Sequence, residues 1–519
     1  MFDKWFGVQA HKSLHFIGAL ILVVGIPMNK VLMSTGTIWL AANLLINADF
    51  NSYWKNIKNS KLALTVIAIL LLHFIGITYS TDFDYAMSDI NRKLPFFVLP
   101  IVLIAYPIDK MFYKDLLHAL LASLVITSIA NLFLYYFAED KISDMRYLSQ
   151  FGSHIRYGVL IVFGAFISLY FAFKEKNKSK WMYLLLFLYF SFYTLFSQVI
   201  TAYFNYSILL IFIIILLTFK LKNLALKWVI VSLIGVFVVF SGFSIYNFLK
   251  PDLPVIINVE ELDAKTSKGN RYNHYGEHHY LENGHPIMVY ICEKELEEEW
   301  NKVSELDYNG FDNKNQILKG TLIRYMTSKG LRKDAEGVKQ LSRDDINNIE
   351  KGVASIKAID NSILYRLEGL KFQIHNYLMG GDPSGHSLLQ RFEHWRAAIH
   401  IIENNPIFGV GTGDAQLAFN KTYVELDSPL QEEYRNRSHN QFFSFYVSFG
   451  ALGFLLLLYF SFLLFKIAFS NRQTILLIFA ILIFLSFLPE DTLETQQGAT
   501  FVGFFTGFLA VSGKKILPK

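Results

Sequence analysis

The chain has 519 residues, of which 53% are hydrophobic and 16% aromatic, with a mean hydropathy of +0.33 and a net charge of +5. That apolar content excludes a soluble multidomain protein of this size, and the single cysteine, Cys292, excludes an intrachain disulfide. The basic excess is no nucleic-acid footprint, because the lysines sit in the gaps between long apolar runs.

About twelve such runs are long enough to cross a bilayer core of about 30 Å. They are predicted at 14–32, 35–49, 62–80, 94–108, 113–138, 156–173, 181–199, 202–219, 228–247, 440–465, 473–489 and 497–513. No cleavable signal peptide is read between Phe2 and Lys12, since no small-residue cleavage site follows. Alternate gaps carry the basic residues: Lys4 and Lys12; Lys55, Lys58 and Lys61; Lys110 and Lys114; the lysines of 174–180; Lys220, Lys222 and Lys227; Lys466 and Arg472; Lys514, Lys515 and Lys519. The other short gaps carry few, chiefly Lys30, Arg92, Lys93, Lys141 and Arg146. They hold the acids Asp82, Asp84, Asp89, Glu139, Asp140, Asp144, Glu490, Asp491 and Glu494.

Basic residues favour the cytoplasmic side. Both termini are therefore expected there, and the one large polar loop, Pro251–Asn440, on the opposite side. The expected fold is an all-α, polytopic membrane protein with about twelve transmembrane helices and one large, mostly helical loop. Three regions follow: 1–250, a bundle of about nine spans; 251–439, the loop domain; and 440–519, about three further spans.

Within the loop, His274, His278, His279 and His285 form a histidine-rich patch whose spacing fits no standard metal site, and a solvated loop explains it equally. Residues 340–376 read as a helix capped by Asp344 or Asp345, with Ile346, Ile349, Val353, Ile356 and Ile359 at helical spacing.

The stretch 391–453 is the least ordinary. Phe392, Trp395, Ile399 and Ile402 recur at helical spacing, as in a helix that lies on a membrane surface or on a bundle. Arg391, His394 and Arg396 lie off that stripe. Guanidinium groups bind phosphate oxygens bidentately, so an arginine at a membrane surface suits a lipid-linked phosphate. Contact with lipid headgroups, or pairing with Glu393, fits the same spacing. Gly409-Val-Gly411-Thr-Gly413-Asp414 lacks the preceding strand of a dinucleotide loop and reads as a tight turn that brings backbone close to a ligand or a helix. Arg435, Arg437, Ser438, His439 and Asn440 then abut the tenth span. A histidine at that mouth can accept a proton near neutral pH, or be structural.

The order R-x-x-x-W-R-A-A, N-P-I-F-G-V-G-T-G-D, about 24 residues, then S-H-N-Q-F-F-S-F and G-A-L-G resembles the O-antigen ligase and polymerase family of multi-span glycosyltransferases. The similarity extends to Leu94-Pro95 and to the Arg324-Tyr325…Ser328-Lys329-Gly330 stretch, which is similar to Bacteroidota members. The resemblance implies that Arg391 holds the pyrophosphate of an undecaprenyl-linked glycan and that His439 is the base that deprotonates the acceptor hydroxyl. Family members carry a further arginine in a mid-chain Ser-Arg pair. The nearest match here is Ser197-Gln198-Val-Ile-Thr201, without arginine, and Arg156 in Ser153-His154-Ile155-Arg156-Tyr157 is the expected substitute. Further substrate-binding candidates are His154, Arg396, Trp395, Asn440 and Arg324.

The implied reaction is an inverting, metal-independent transfer of a glycan from undecaprenyl pyrophosphate to lipid A-core or another glycan acceptor, on the periplasmic face of a bacterial inner membrane. The expected partners are that donor, the acceptor and membrane lipids, with no cofactor and no nucleic acid. An O-antigen or exopolysaccharide polymerase, or a protein O-glycosyltransferase, would use the same donor. A transporter or flippase would need charges in span centres and matched, broken helices, and few charges and no repeat are found.

Overall fold

A computed structural model describes residues 7–137, 148–149, 153–250, 255–276, 278–279, 281–313, 316–358, 369–371, 373–374, 377–378, 380–384 and 386–512. Lys4, Glu139, Asp140, Lys141, Asp144, Arg146, Lys514, Lys515 and Lys519 of the charge pattern lie outside the described residues, as do 359–368 of the predicted loop helix.

Every predicted span falls on a helix. The N-terminal half contributes α1 (Val8–Gly25), α2 (Lys30–Asn47), α3 (Phe50–Lys58), α4 (Lys61–Ile77), α5 (Phe83–Ala105), α6 (Tyr113–Phe137), α7 (His154–Lys174), α8 (Ser179–Ser197), α9 (Ile200–Phe219) and α10 (Leu224–Leu249). Among the described residues six helices are long and apolar enough to cross a membrane, and α2 and α3 would form one bent span at 118°. The α4 helix is apolar but shorter.

The chain folds as two compact units, 1–231 with 384–519, and 232–383. The second contains α11 (Glu293–Val303), α12 (Leu318–Ser328), α13 (Ala335–Lys339) and α14 (Arg343–Glu350). It also has two antiparallel hairpins, β1 (Val255–Ile256) with β2 (His278–His279) and β3 (Leu281–Glu282) with β4 (His285–Pro286). Its core is built on Leu296, Trp300, Leu322, Tyr325, Ile346 and Ile349. The predicted helix over 340–376 is cut short: α14 is capped by Ser342, whose hydroxyl and the Asp345 carboxylate close a capping box, and it ends at Glu350. Gly352, at φ +72°, turns the chain away. His274 spends both ring nitrogens on backbone, on Asp263 O and Tyr290 N, which is a structural use.

The first unit is completed by α15 (Ser387–Asn404), α16 (Ala415–Glu425), α17 (Gln441–Ser470), α18 (Thr474–Phe487, also apolar but short) and α19 (Gln496–Ser512). Its core runs through Phe96, Phe163, Phe479, Phe501 and Phe505. The segment 384–439, grouped by sequence with the loop, belongs to this unit.

The glycine segment explains how. Helix α17 is broken at Gly450 (φ +61°, ψ −157°), where a Cβ would lie 2.1 Å from Ile407 O. In a bilayer the freed backbone groups need partners. Val410 N and Gly411 N donate to Val447 O and Ser448 O, and Ala451 N donates to Pro406 O. Thr412 Oγ1 caps His73 O at 2.6 Å at the end of α4. The Asp414 carboxylate accepts from Thr81 N and Asp82 N, just before α5. Asn405–Asp414 thus ties α4, α5 and α17 together and fixes the start of α17, where His439 sits.

Candidate active site

Four pieces of chain in the first unit supply charged side chains to one cluster. Helix α15 buries Leu389, Glu393, His394, Ala397, Ala398 and Ile401. That is not the stripe read from the sequence: Phe392 and Ile399 remain 41% and 46% exposed. The buried face brings Arg391, His394 and Trp395 inward. Arg391 Nη2 lies 2.7 Å from Glu490 Oε1, and its Nε has no partner. Trp395 Nε1 donates to Ser438 O at 2.9 Å, which anchors the strand of chain that carries His439.

His439 adopts φ +47°, in the left-handed region. Asn440 caps α17 by accepting from Phe442 N and Phe443 N. The His439 Nδ1 is buried and 3.7 Å from Asp491 Oδ1, a charge contact longer than a hydrogen bond, while 36% of the side chain is exposed. The α18–α19 connection supplies Glu490, Asp491 and Glu494, all buried. Burial raises the Glu490 carboxyl above its ordinary pKa, opposed by Arg391. Burial would also raise Asp491, but the approach of His439 and Arg437 holds it below the usual carboxylate value.

Behind His439 lies a buried ion network. Arg437 Nη1 is 2.9 Å from Glu494 Oε2 and 3.8 Å from Asp89 Oδ1. Lys93 Nζ bridges Asp89 at 2.6 Å and Glu494 at 2.9 Å. Gln441 links the network to the backbone, its Oε1 accepting from Leu493 N at 2.6 Å.

His394 is 1% exposed, and its Nε2 donates to Tyr434 O at 3.0 Å, with its ring 5.3 Å from that of His439. Burial pushes its pKa down to about 4. A histidine depressed in the fold contributes stability that is complete above the unfolded value of 6.5 and is lost as pH falls toward 4. Thermal unfolding in detergent should therefore show a decline over that window of up to about 3 kcal/mol. His394→Gln, which keeps the donor, should flatten it. An unchanged slope in the variant would remove His394 as its cause.

Of the other sequence candidates, Arg156 and Glu490 line one cavity, and the Arg156 charge acts on the Glu490 carboxyl. Arg156 and Arg391 thus both act on Glu490. His154 is the first residue of α7. Arg396 is half-exposed and reaches Leu426 O and Glu393. Arg324 lies in the second unit, with its guanidinium on Glu282 at 2.9 Å. The sequence reading treated Glu490, Asp491, Glu494, Asp89 and Lys93 only as gap charges. Their signal was an ionisable cluster pressed against very apolar helices. His439, Glu490 and Asp491 also offer donor atoms within 4.8 Å of one another and are the metal-type group among the described residues. Here Arg391 pairs with Glu490, and His439 approaches Asp491.

Apolar helices around a buried cluster of arginine, histidine and carboxylates define an integral membrane protein with a polar, charged cluster at its helix ends. The O-Antigen ligase family model matches residues 346–458, and the match supports an O-antigen ligase family member. That span contains Arg391 and His439 but not Asp89, Arg156 or the 490–494 carboxylates. No curated protein matches the chain. The family implies a glycosyltransferase-like ligase acting on lipid-linked glycans.

Proposed function

We propose that this protein moves a glycan from undecaprenyl pyrophosphate to an acceptor hydroxyl, lipid A-core being the acceptor of choice. The observation that carries the reading is the convergence of Arg391 and His439 on adjacent carboxylates, Glu490 and Asp491.

The acceptor oxygen attacks the anomeric carbon, and the bond from that carbon to the pyrophosphate oxygen breaks with its electron pair, inverting the centre. His439 takes the hydroxyl proton. With Nδ1 buried toward Asp491, Nε2 is the nitrogen that meets the acceptor. Arg391 spends Nη2 on Glu490 and keeps Nε for a phosphate oxygen. Arg391 and Arg156 oppose the charge that develops on the departing pyrophosphate, a stabilisation realised in the transition state. The leaving group carries its own activation, so the step is metal-independent and needs no nucleotide. The lysine distribution supports cytoplasmic termini and a reaction on the periplasmic face of the inner membrane.

The test is transfer by purified protein in detergent, given an undecaprenyl-pyrophosphate glycan with or without lipid A-core. Arg391→Ala should lower transfer by about 10²–10³-fold. Donor left unconsumed by wild type would overturn the reading. Long glycan chains made without added acceptor would reassign the acceptor to the growing glycan itself.

A further inference from the structure

The outward face of α15 carries a groove of about 420 Å³, lined chiefly by Phe392, Trp395, Arg396, Ile399, Glu403 and Leu426. Its height follows from α17. That helix has 30 residues and is about 45 Å long, against a bilayer core of about 30 Å. Lys466 belongs to a basic gap and marks the cytoplasmic end, so the core reaches back about 20 residues, to Val447. Gly450 then lies about 5 Å inside the opposite boundary. It packs on Ile407 O, and the Ile407 and Phe408 side chains are 64% and 72% exposed. Exposed apolar side chains at that level meet lipid. The other end of α15 places Arg391 on Glu490, between α18 and α19 and again at the outer ends of spans. Helix α15 thus lies along the outer boundary of the bilayer, and its groove opens at headgroup level.

Charge selects the occupant. Arg396 is half-exposed, and its contacts with Leu426 O and Glu393 leave further N–H donors of the guanidinium. Glu403 is exposed and has no ion pair among the described residues. The two stand seven residues apart, which is about 10 Å along the helix axis. A headgroup with a phosphate and an ammonium two carbons apart, each making a hydrogen bond of about 3 Å, covers that separation. A purely anionic headgroup would set its charge against Glu403. The apolar side chains between and beside the two charges suit the hydrocarbon that such a headgroup carries.

We propose that this groove binds one outer-leaflet phospholipid with a phosphoethanolamine-type headgroup. Arg396 takes the phosphate, Glu403 takes the ammonium, and the start of an acyl chain lies against Phe392, Ile399 and Leu426. Trp395 links the site to His439: its ring lines the groove, and its Nε1 holds Ser438 O next to His439. A lipid packed on that ring steadies the piece of chain that carries His439, so glycan transfer should depend on the headgroup. That consequence rests on the function proposed above, whereas the binding does not.

The test offers the full chain in detergent phosphatidylethanolamine, phosphatidylglycerol or phosphatidylcholine of one acyl composition, and counts retained lipid by native mass spectrometry. Wild type should retain one phosphatidylethanolamine, about fivefold more tightly than either other lipid. Glu403→Gln should abolish that preference, and Ile399→Ser should weaken all three lipids by about fivefold or more. Both side chains are exposed, so the thermal stability of either variant should match wild type, which separates lost binding from lost fold. Three lipids retained alike by wild type, or a preference that survives Glu403→Gln, would overturn the site. A wild-type dimer that Ile399→Ser breaks would give the groove to a second copy and overturn it as well. If wild type selects phosphatidylethanolamine but transfers no glycan in nanodiscs of any of the three lipids, the proposed function falls and the lipid site stands.

Discussion

His439→Ala is expected to lower glycan transfer by about 10²–10⁴-fold, the usual contribution of a positioned general base, while leaving undecaprenyl-diphosphate binding unchanged. The separation follows from the geometry. The arginines that would hold the leaving group, Arg391 and Arg156, act on Glu490, whereas His439 approaches Asp491. Donor affinity and proton removal thus reside in different side chains. His439 lies in the left-handed region, which alanine tolerates poorly and asparagine well, so His439→Asn is the companion variant that spares the backbone. Both should lose transfer alike. Asp491→Asn should cost less, since it removes the charge that steadies the protonated ring but leaves the base in place. Transfer by both His439 variants at close to the wild-type rate would take the base assignment away.

What the sequence disclosed and what it hid divide along a physical line. The apolar runs announced the helices because the bilayer demands about 20 apolar residues per span, and each predicted run lies on a helix. Arg391 and His439 became candidates through the family resemblance carried by one local segment, 391–453, and not through spacing alone. The glycine run was legible as a turn, but its targets, the carbonyls of Val447 and Ser448 and the end of α4, were not. Those pairings join residues 37 positions apart, Val410 with Val447 and Gly411 with Ser448, or 339 apart, Thr412 with His73, and no periodicity reports them. The α15 stripe left open which face packs, since a helix on a membrane surface also turns Phe392 and Ile399 outward. Phe392 and Ile399 satisfy helical spacing, yet the face that packs is the one with Ala397, Ala398, Glu393 and His394. Small residues allow close approach, and buried polar ones are recognised only through partners such as Ser428, which donates to Glu393 at 2.6 Å. Glu490 and Asp491 were hidden likewise: charge between spans looks like topology until a guanidinium is found opposite it.

Lys93→Met is expected to cost about 3–5 kcal/mol of stability, because it leaves buried carboxylates without their cation. Lys93, Asp89, Glu494 and Arg437 form a balanced set of two cations and two anions, with Lys93 in hydrogen-bond reach of both acids. Three of the four are shut off from water, Lys93 and Asp89 at 3% and Glu494 at 5% exposure, and Arg437 keeps only 15% of its side chain exposed. Removing one cation leaves a net buried negative charge beside Arg437, whose guanidinium cannot bridge both acids equally, since it is 2.9 Å from Glu494 and 3.8 Å from Asp89. The same loss should reach the reaction centre, because Glu494 belongs to the connection that carries Glu490 and Asp491, and Arg437 stands two residues before His439. Denaturation in detergent should therefore show lower stability, and transfer should fall even where the protein remains folded. The double change Lys93→Met with Asp89→Asn restores neutrality and should recover a good part of the stability, since the penalty comes from an uncompensated charge and not from a missing contact. A single Lys93→Met protein as stable as wild type would mean that the acids are protonated in the fold, and that the network is a set of hydrogen bonds, not of charges.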